Sequence, residues 1–263
     1  MADVSLKVPT LSLVPREFLV LWQSPDTPGY RCVGTLTRER DAYRFEYSSQ
    51  ARLDASFPGF ASFPDLDEVY RSEELFPFFA NRVMTPRRDD YQEYLQSIGL
   101  HDMTPDPFVI LARTLGRRVT DQIQVLPVPE VESDGRLSFH FLVNGARHVD
   151  PKGERLRDVT RGSNLQLASD PGNEASPYAV LVGSRPHVIR DEALGYVPEI
   201  LAGLVGTLLD ADAVLRVQAE VVNQVGEVDV PAQLRLLARL DAVVPSDFDV
   251  RQALNVPGAA YAG

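Results

Sequence analysis

The stretch LGYVPEILAGLVGTLLD (residues 194–210) decides how the rest of this sequence is read. An apolar run, Leu194–Val197, stops at Pro198, which cannot donate to a strand ladder but suits the first turn of a helix. The following PEILAGLVGTLLD places Ile200, Leu201, Leu204 and Leu208 on one helical face. It is too short to cross a bilayer and is flanked by acids, so it predicts a buried core helix. Around it lie short apolar runs at Leu137–Val143, Leu165–Ala168, Tyr178–Val182, Val214–Val222 and Leu234–Val243, bounded by Gly, Asn, Asp or Pro. Several short strands with one main helix predict a small closed β-barrel.

Working towards the N-terminus, the run LPVPEVESDG (126–135) combines two prolines, three acids and an Asp-Gly turn, and it reads as a linker. Before it, Phe18–Trp22, Tyr30–Leu36, Tyr43–Tyr47 and Ile123–Leu126 read as strands, and Ala51–Asp67 as an irregular packed segment. A helix is expected to open at Ser72-Glu-Glu and run into LFPFFANRV. A second is expected over Asp89–Ile98, stopped by Gly99, and a third over PFVILARTL, capped at Thr104-Pro105-Asp106 and ended by Gly116. The expected class is therefore α+β: an N-terminal small β-sheet or barrel with helices, then a C-terminal OB/SH3-like β-barrel with one main helix. The expected organisation is an N-terminal segment (1–17), a first module (18–127), a linker (128–135), the barrel (136–245) and a C-terminal tail (246–263). The barrel half is expected to fold by itself.

Composition narrows the function. The chain has 263 residues, 26 Lys plus Arg against 37 Asp plus Glu, a formal charge of −11, and is acidic on both sides of Gly135. Bulk charge therefore disfavours coating nucleic acid or anionic membrane, though a local basic site remains compatible. Cys32, the one cysteine, excludes an internal disulfide or a multi-cysteine zinc site. The opening MADVSLKVPTLSLVP lacks a basic region followed by a long apolar run, and no apolar run approaches the length of a membrane span. A cytoplasmic protein without signal peptide or membrane segment is expected.

Enzyme signatures are absent: no G-x-S-x-G, HExxH, P-loop or G-x-G-x-x-G occurs, and His101, His140, His148 and His187 show no metal spacing. The pairs Asp65/Asp67 and Asp210/Asp212 read as turn and helix-end acids, and Cys32 as a small core residue. No catalytic residue, metal site or cofactor is expected. One region is locally basic: Arg147, Lys152, Arg155, Arg157 and Arg161 stand against Asp150, Glu154 and Asp158. Arginine forks suit phosphate, and the His148 ring offers a plane on which a base can stack.

GARHV (145–149), RGSNLQL, the DPGN turn (170–173), YAVLV and LGYVPEILAGL (194–204), in that order, resemble a HIRAN domain over roughly 136–245. The resemblance implies an OB/SH3-like barrel and recognition of single-stranded DNA ends. It implies that Arg147 and His148 take the place of an Arg-aromatic pair on the DNA, that Asn173 matches the Asn of an N-P-Y-D turn, and that Tyr196 lies in the Gly-aromatic step before the helix. Ala175 and Ser176 stand where that turn has Tyr and Asp, with Tyr178 two residues on as a substitute ring. Little preference for a 3′-hydroxyl end is therefore expected.

VGTLTRERDAYRFEY, LFPFFANRVM, DPFVILARTLGRR and QIQVLP resemble the N-terminal subdomain of HipA-type kinases over roughly 18–127, with Val83-Met84-Thr85-Pro86 departing from the usual LPEG step. No kinase catalytic region accompanies it, so the resemblance implies a protein-contact module. Two functions follow: a non-catalytic binder of single-stranded DNA, with a protein partner such as a kinase or nuclease on the first module, or an antitoxin-like regulator of such a partner without DNA affinity.

Overall fold

A computed structural model describes residues 15–26, 29–100, 105–118, 120–174, 176–211, 213–224 and 234–257. The chain is α+β, built on two antiparallel sheets. The first holds β1 (Glu17–Gln23), β2 (Tyr30–Arg38), β3 (Tyr43–Tyr47), β4 (Val69–Ser72) and β5 (Ile123–Pro127) in the order β4-β3-β2-β1-β5. Around it lie α1 (Ser49–Leu53), α2 (Pro77–Ala80), α3 (Tyr91–Ser97) and α4 (Pro107–Thr114).

The run FLVLW in β1 is apolar without alternation because it is buried on both faces. Phe18, Val20 and Trp22 point into an aromatic cluster with Phe45, Phe57, Phe63 and Phe79. Leu19 and Leu21, with Cys32 and Leu126, point the other way and join the core of the second sheet. The strand before 128–135 and the barrel after it thus share one apolar cluster. The expected linker is itself ordered: Val131 bridges Leu137, and the Gly135 N–H donates to Glu132 O at 2.9 Å in a tight turn.

Local readings are corrected in places. Ser72 ends β4 rather than opening a helix, and α2 starts at Pro77, in the slot where a missing N–H costs nothing. The α4 cap is Asp106, whose Oδ1 accepts the Phe108 N–H at 2.9 Å, and Pro107 is its first residue. Thr104 lies outside the described residues. In α3 the expected stop holds, with Gly99 at φ +74. The stretch taken as a C-terminal tail contains α7 (Val250–Leu254), which packs on the main helix and is tied to β1 by Arg251 donating to Glu17.

The second sheet holds β6 (Arg136–Leu142), β7 (Asn164–Ser169), β8 (Val180–Gly183), β9 (Gly195–Tyr196), β10 (Val214–Val222) and β11 (Leu236–Val243), ordered β6-β11-β10-β7-β8-β9. It closes on itself beyond β6: Asn144 and Tyr196 form an antiparallel bridge, each N–H donating to the other's carbonyl at 2.8 Å. A Cβ on Gly195 would lie 2.4 Å from Asn144 O, so only glycine allows this approach. Between β6 and β7 lie α5 (Ala146–Val149) and a 3-10 turn at Arg155–Asp158, and a second 3-10 turn, Arg190–Glu192, precedes β9. The predicted main helix is α6 (Glu199–Asp210), with Ile200, Leu201, Leu204 and Leu208 buried in the core.

α4 meets the outer face of the barrel at β6 through polar groups. Arg113 is buried with its Nη1 unpartnered, and burial lowers its pKa to about 10. His140 on β6 is buried nearby, opposite Arg239 on β11, which donates to Asp241 at 2.8 Å.

Candidate nucleic-acid interface

The closing bridge organises the residues singled out by sequence. After β6 the chain turns at Gly145, whose positive φ of +71 starts α5 and whose bare Cα faces the Tyr196 ring: a Cβ there would lie 3.1 Å from Tyr196 Cδ2. α5 packs against β9 and the Arg190–Glu192 turn, and it presents Arg147 and His148 to solvent, with Arg147 Nε donating to His148 Nε2 at 3.1 Å. Such a pairing requires the unprotonated ring nitrogen to face the guanidinium.

Tyr196 is oriented from its other end. Its hydroxyl donates to Asp170 Oδ2 at 3.2 Å, and Asp170 also accepts from Asn173 Nδ2 at 3.3 Å and from Arg190 Nη2 at 2.9 Å and Nε at 3.2 Å. The Arg190 hydrogen bonds, helped by Asn173 and Tyr196, hold the Asp170 carboxyl below the usual carboxylate range. Burial, reinforced by the Asp170 charge, pushes the Tyr196 phenol up. A four-residue network therefore fixes the phenol, and the residue as a whole stays partly exposed.

The structure brings Tyr196 and Asn173 together around Asp170 and sets Arg147 and His148 on the adjoining helix. Asn173 braces its turn, because its Oδ1 accepts the Ser176 N–H at 3.3 Å. Tyr178 stands apart: it is 63% exposed in the approach to β8, with only its N–H engaged, on Ser176 Oγ. Ala175 lies outside the described residues. Asp170 and Arg190 were missed. The DPGN turn signalled the first as a turn acid, but nothing local pairs residues 20 apart; the contact exists because the Arg190–Glu192 turn folds back over β8.

The basic run is not a continuous patch. Arg155 Nη1 donates to the carbonyls of Val149 and Ala193, and Arg161 pairs with Glu220 at 3.4 Å. Asp150 is buried, accepting the backbone N–H groups of Glu154, Arg155 and Leu156. Arg147, Lys152 and Arg157 are exposed, as is Arg161 beside Glu220.

Elsewhere, Asp65 Oδ1 accepts the Asp67 N–H at 2.8 Å, a turn contact, and Asp67 faces Arg52. Asp210 ends α6, and Asp212 lies outside the described residues. Cys32 is buried, its thiol pushed up to about 12 by desolvation and directed at Gly34 O. Among the described residues no three His, Cys, Asp or Glu side chains gather as metal ligands, and no helix is long and apolar enough to cross a membrane.

No family model and no curated protein matches the chain. Among solved structures, a structural-genomics protein from Lactobacillus plantarum is similar over 44% of this chain and 93% of its own, at 22% identity and a TM-score of 0.31. The HIRAN domain of human HLTF is similar over 41% of this chain and 73% of its own, at 19% identity and a TM-score of 0.27.

Proposed function

We propose that this protein binds single-stranded nucleic acid, DNA as the HIRAN resemblance implies, on the barrel rim formed by α5, β9 and the Arg190–Glu192 turn. The observation that carries this reading is the fixed ring of Tyr196 beside the exposed Arg147 and His148. A rigid aromatic next to exposed guanidinium and imidazole groups is what base stacking with phosphate contact requires. The protein acts by binding rather than by turnover, a reading supported by the lack of enzyme motifs in its sequence. The first sheet, resembling the HipA subdomain, serves as a contact module for a protein partner.

Fluorescence titration against short single strands at low and moderate salt tests the reading. Binding that weakens with salt and on Arg147→Ala supports it. Absence of binding at low salt hands the case to the second reading, a partner-binding regulator without nucleic-acid affinity, which the formal charge of −11 favours.

A further inference from the structure

Next to the proposed rim lies an open groove of about 510 Å³, whose walls include Arg155, Asp158, Ser163, Ser184, Arg185 and Glu192. It adjoins the Tyr196 site directly: Glu192 shares its 3-10 turn with Arg190, and Arg155 is moored to Ala193 O at 3.1 Å. A strand leaving the Tyr196 ring towards Arg190 therefore enters this groove.

Its charge pattern is unusual for a phosphate channel. Arg155, Arg185, Asp158 and Glu192 make no ion pair with one another or with other described residues, so two guanidiniums and two carboxylates face one open space unneutralised. The guanidiniums suit backbone phosphates. Carboxylates beside them repel a phosphate, a cost that a ligand offsets when its backbone also brings hydrogen-bond donors. A deoxyribose backbone offers none, whereas each ribose of an RNA strand carries a 2′-hydroxyl that can donate to a carboxylate beside the phosphate track. Ser184 adds a hydroxyl that accepts or donates as the sugar requires, whereas Ser163 Oγ already accepts the Thr160 N–H at 3.0 Å.

We propose that this groove selects a ribose backbone, so that the single strand held at Tyr196 is RNA in preference to DNA of the same sequence. The inference rests on the single-strand reading of the rim above but departs from the DNA that the HIRAN resemblance implies, naming RNA as the favoured strand.

The test compares a short oligouridylate with its deoxyuridine counterpart of equal length, by fluorescence anisotropy on the full chain. Wild-type protein is expected to bind the ribo-oligomer about tenfold more tightly, the scale of one hydrogen bond to a charged group. The double variant Asp158→Asn with Glu192→Gln should bring the two affinities within about twofold, chiefly by raising affinity for the deoxy strand. Arg185→Ala should weaken both strands alike, by about fivefold. All three side chains changed are surface groups, and circular dichroism verifies that the variants stay folded. Equal wild-type affinity for the two strands, with Arg147→Ala still weakening both, overturns the groove inference and leaves the rim reading intact. A ribose preference that survives the double variant also overturns it. Failure of both strands to bind at low salt overturns both readings.

Discussion

Asn144 and Tyr196 exchange a pair of backbone hydrogen bonds of 2.8 Å, and this single bridge turns a six-stranded sheet into a ring. β9 is only two residues long, so few other ladder contacts hold this seam. The same residue that closes the barrel also carries the proposed stacking ring, which couples barrel integrity to ligand binding.

The first prediction concerns that seam. Gly195→Ala places a methyl 2.4 Å from Asn144 O, a backbone atom that cannot rotate away. A loss of about 2–4 kcal/mol in stability is expected, with loss of strand binding. Gly206→Ala, in α6 with nothing within 4 Å of the added methyl, should be neutral or stabilising by about 0.5–1 kcal/mol. Thermal and urea denaturation of both variants decide it.

At the rim, Tyr196→Phe keeps the ring and removes only the hydroxyl bonded to Asp170. Its strand affinity should stay within about twofold, while Tyr196→Ala and His148→Ala each cost about 1–3 kcal/mol of binding. Arg147→Ala should lower the slope of log affinity against log salt by about one. A Tyr196→Ala variant that is folded and binds normally would place the site elsewhere.

End preference gives a third check. Ser176 donates its N–H to Asn173 and brings no carboxylate to the turn. Strands ending in 3′-hydroxyl and 3′-phosphate should therefore bind within about threefold of each other, since the turn supplies no carboxylate at position 176 to accept from the terminal hydroxyl. A large hydroxyl preference in competition titrations would contradict this.

The buried joint between α4 and β6 predicts a pH dependence. Burial, with Arg113 and Arg239 adding to it, holds the His140 imidazole well below the usual 6.5. The unfolded chain binds that proton near 6.5 and the folded chain only at much lower pH, so unfolding takes up a proton. Stability is then complete above about 6.5 and falls as pH drops below it, with a limiting slope of about 1.4 kcal/mol per pH unit. The groups facing this joint are Arg113, Arg239, Asp241 and, beyond them, Glu220. Urea midpoints between pH 7.5 and 5.5 should lose this dependence in His140→Gln. Arg113→Met, which removes a buried guanidinium with an unpartnered Nη1, should raise stability by about 1–3 kcal/mol.

A fragment of residues 136–263 is expected to give a poorly dispersed amide NMR spectrum. It lacks Leu19, Leu21, Cys32 and Leu126, which complete its apolar cluster. Sharp, dispersed peaks would show that the barrel core tolerates their loss.

Strand positions and the main helix were legible because apolar runs, turn residues and Pro198 act locally. The α+β class followed from them. What sequence could not show was contact made across the chain. FLVLW read as a strand, but that its two faces serve two clusters depends on the second sheet lying against the first. Asp170 and Arg190 are unremarkable apart and become a network only after folding. The acids at 128–135 and the residues after 245 looked like solvated connections because short ordered segments, such as the five-residue α7, carry little periodic signal.

β1 behaves as a party wall. Its even-numbered apolar side chains furnish one room and its odd-numbered ones the other, so parity alone states which half of the molecule feels a substitution. A change at Val20 should be heard first among the phenylalanines, and a change at Leu19 or Leu21 beneath the main helix, more than a hundred positions along the chain. A partner seated on the first sheet and a strand seated on the barrel would then lean on opposite sides of the same seven residues. Whatever stiffens that wall for one guest stiffens it for the other.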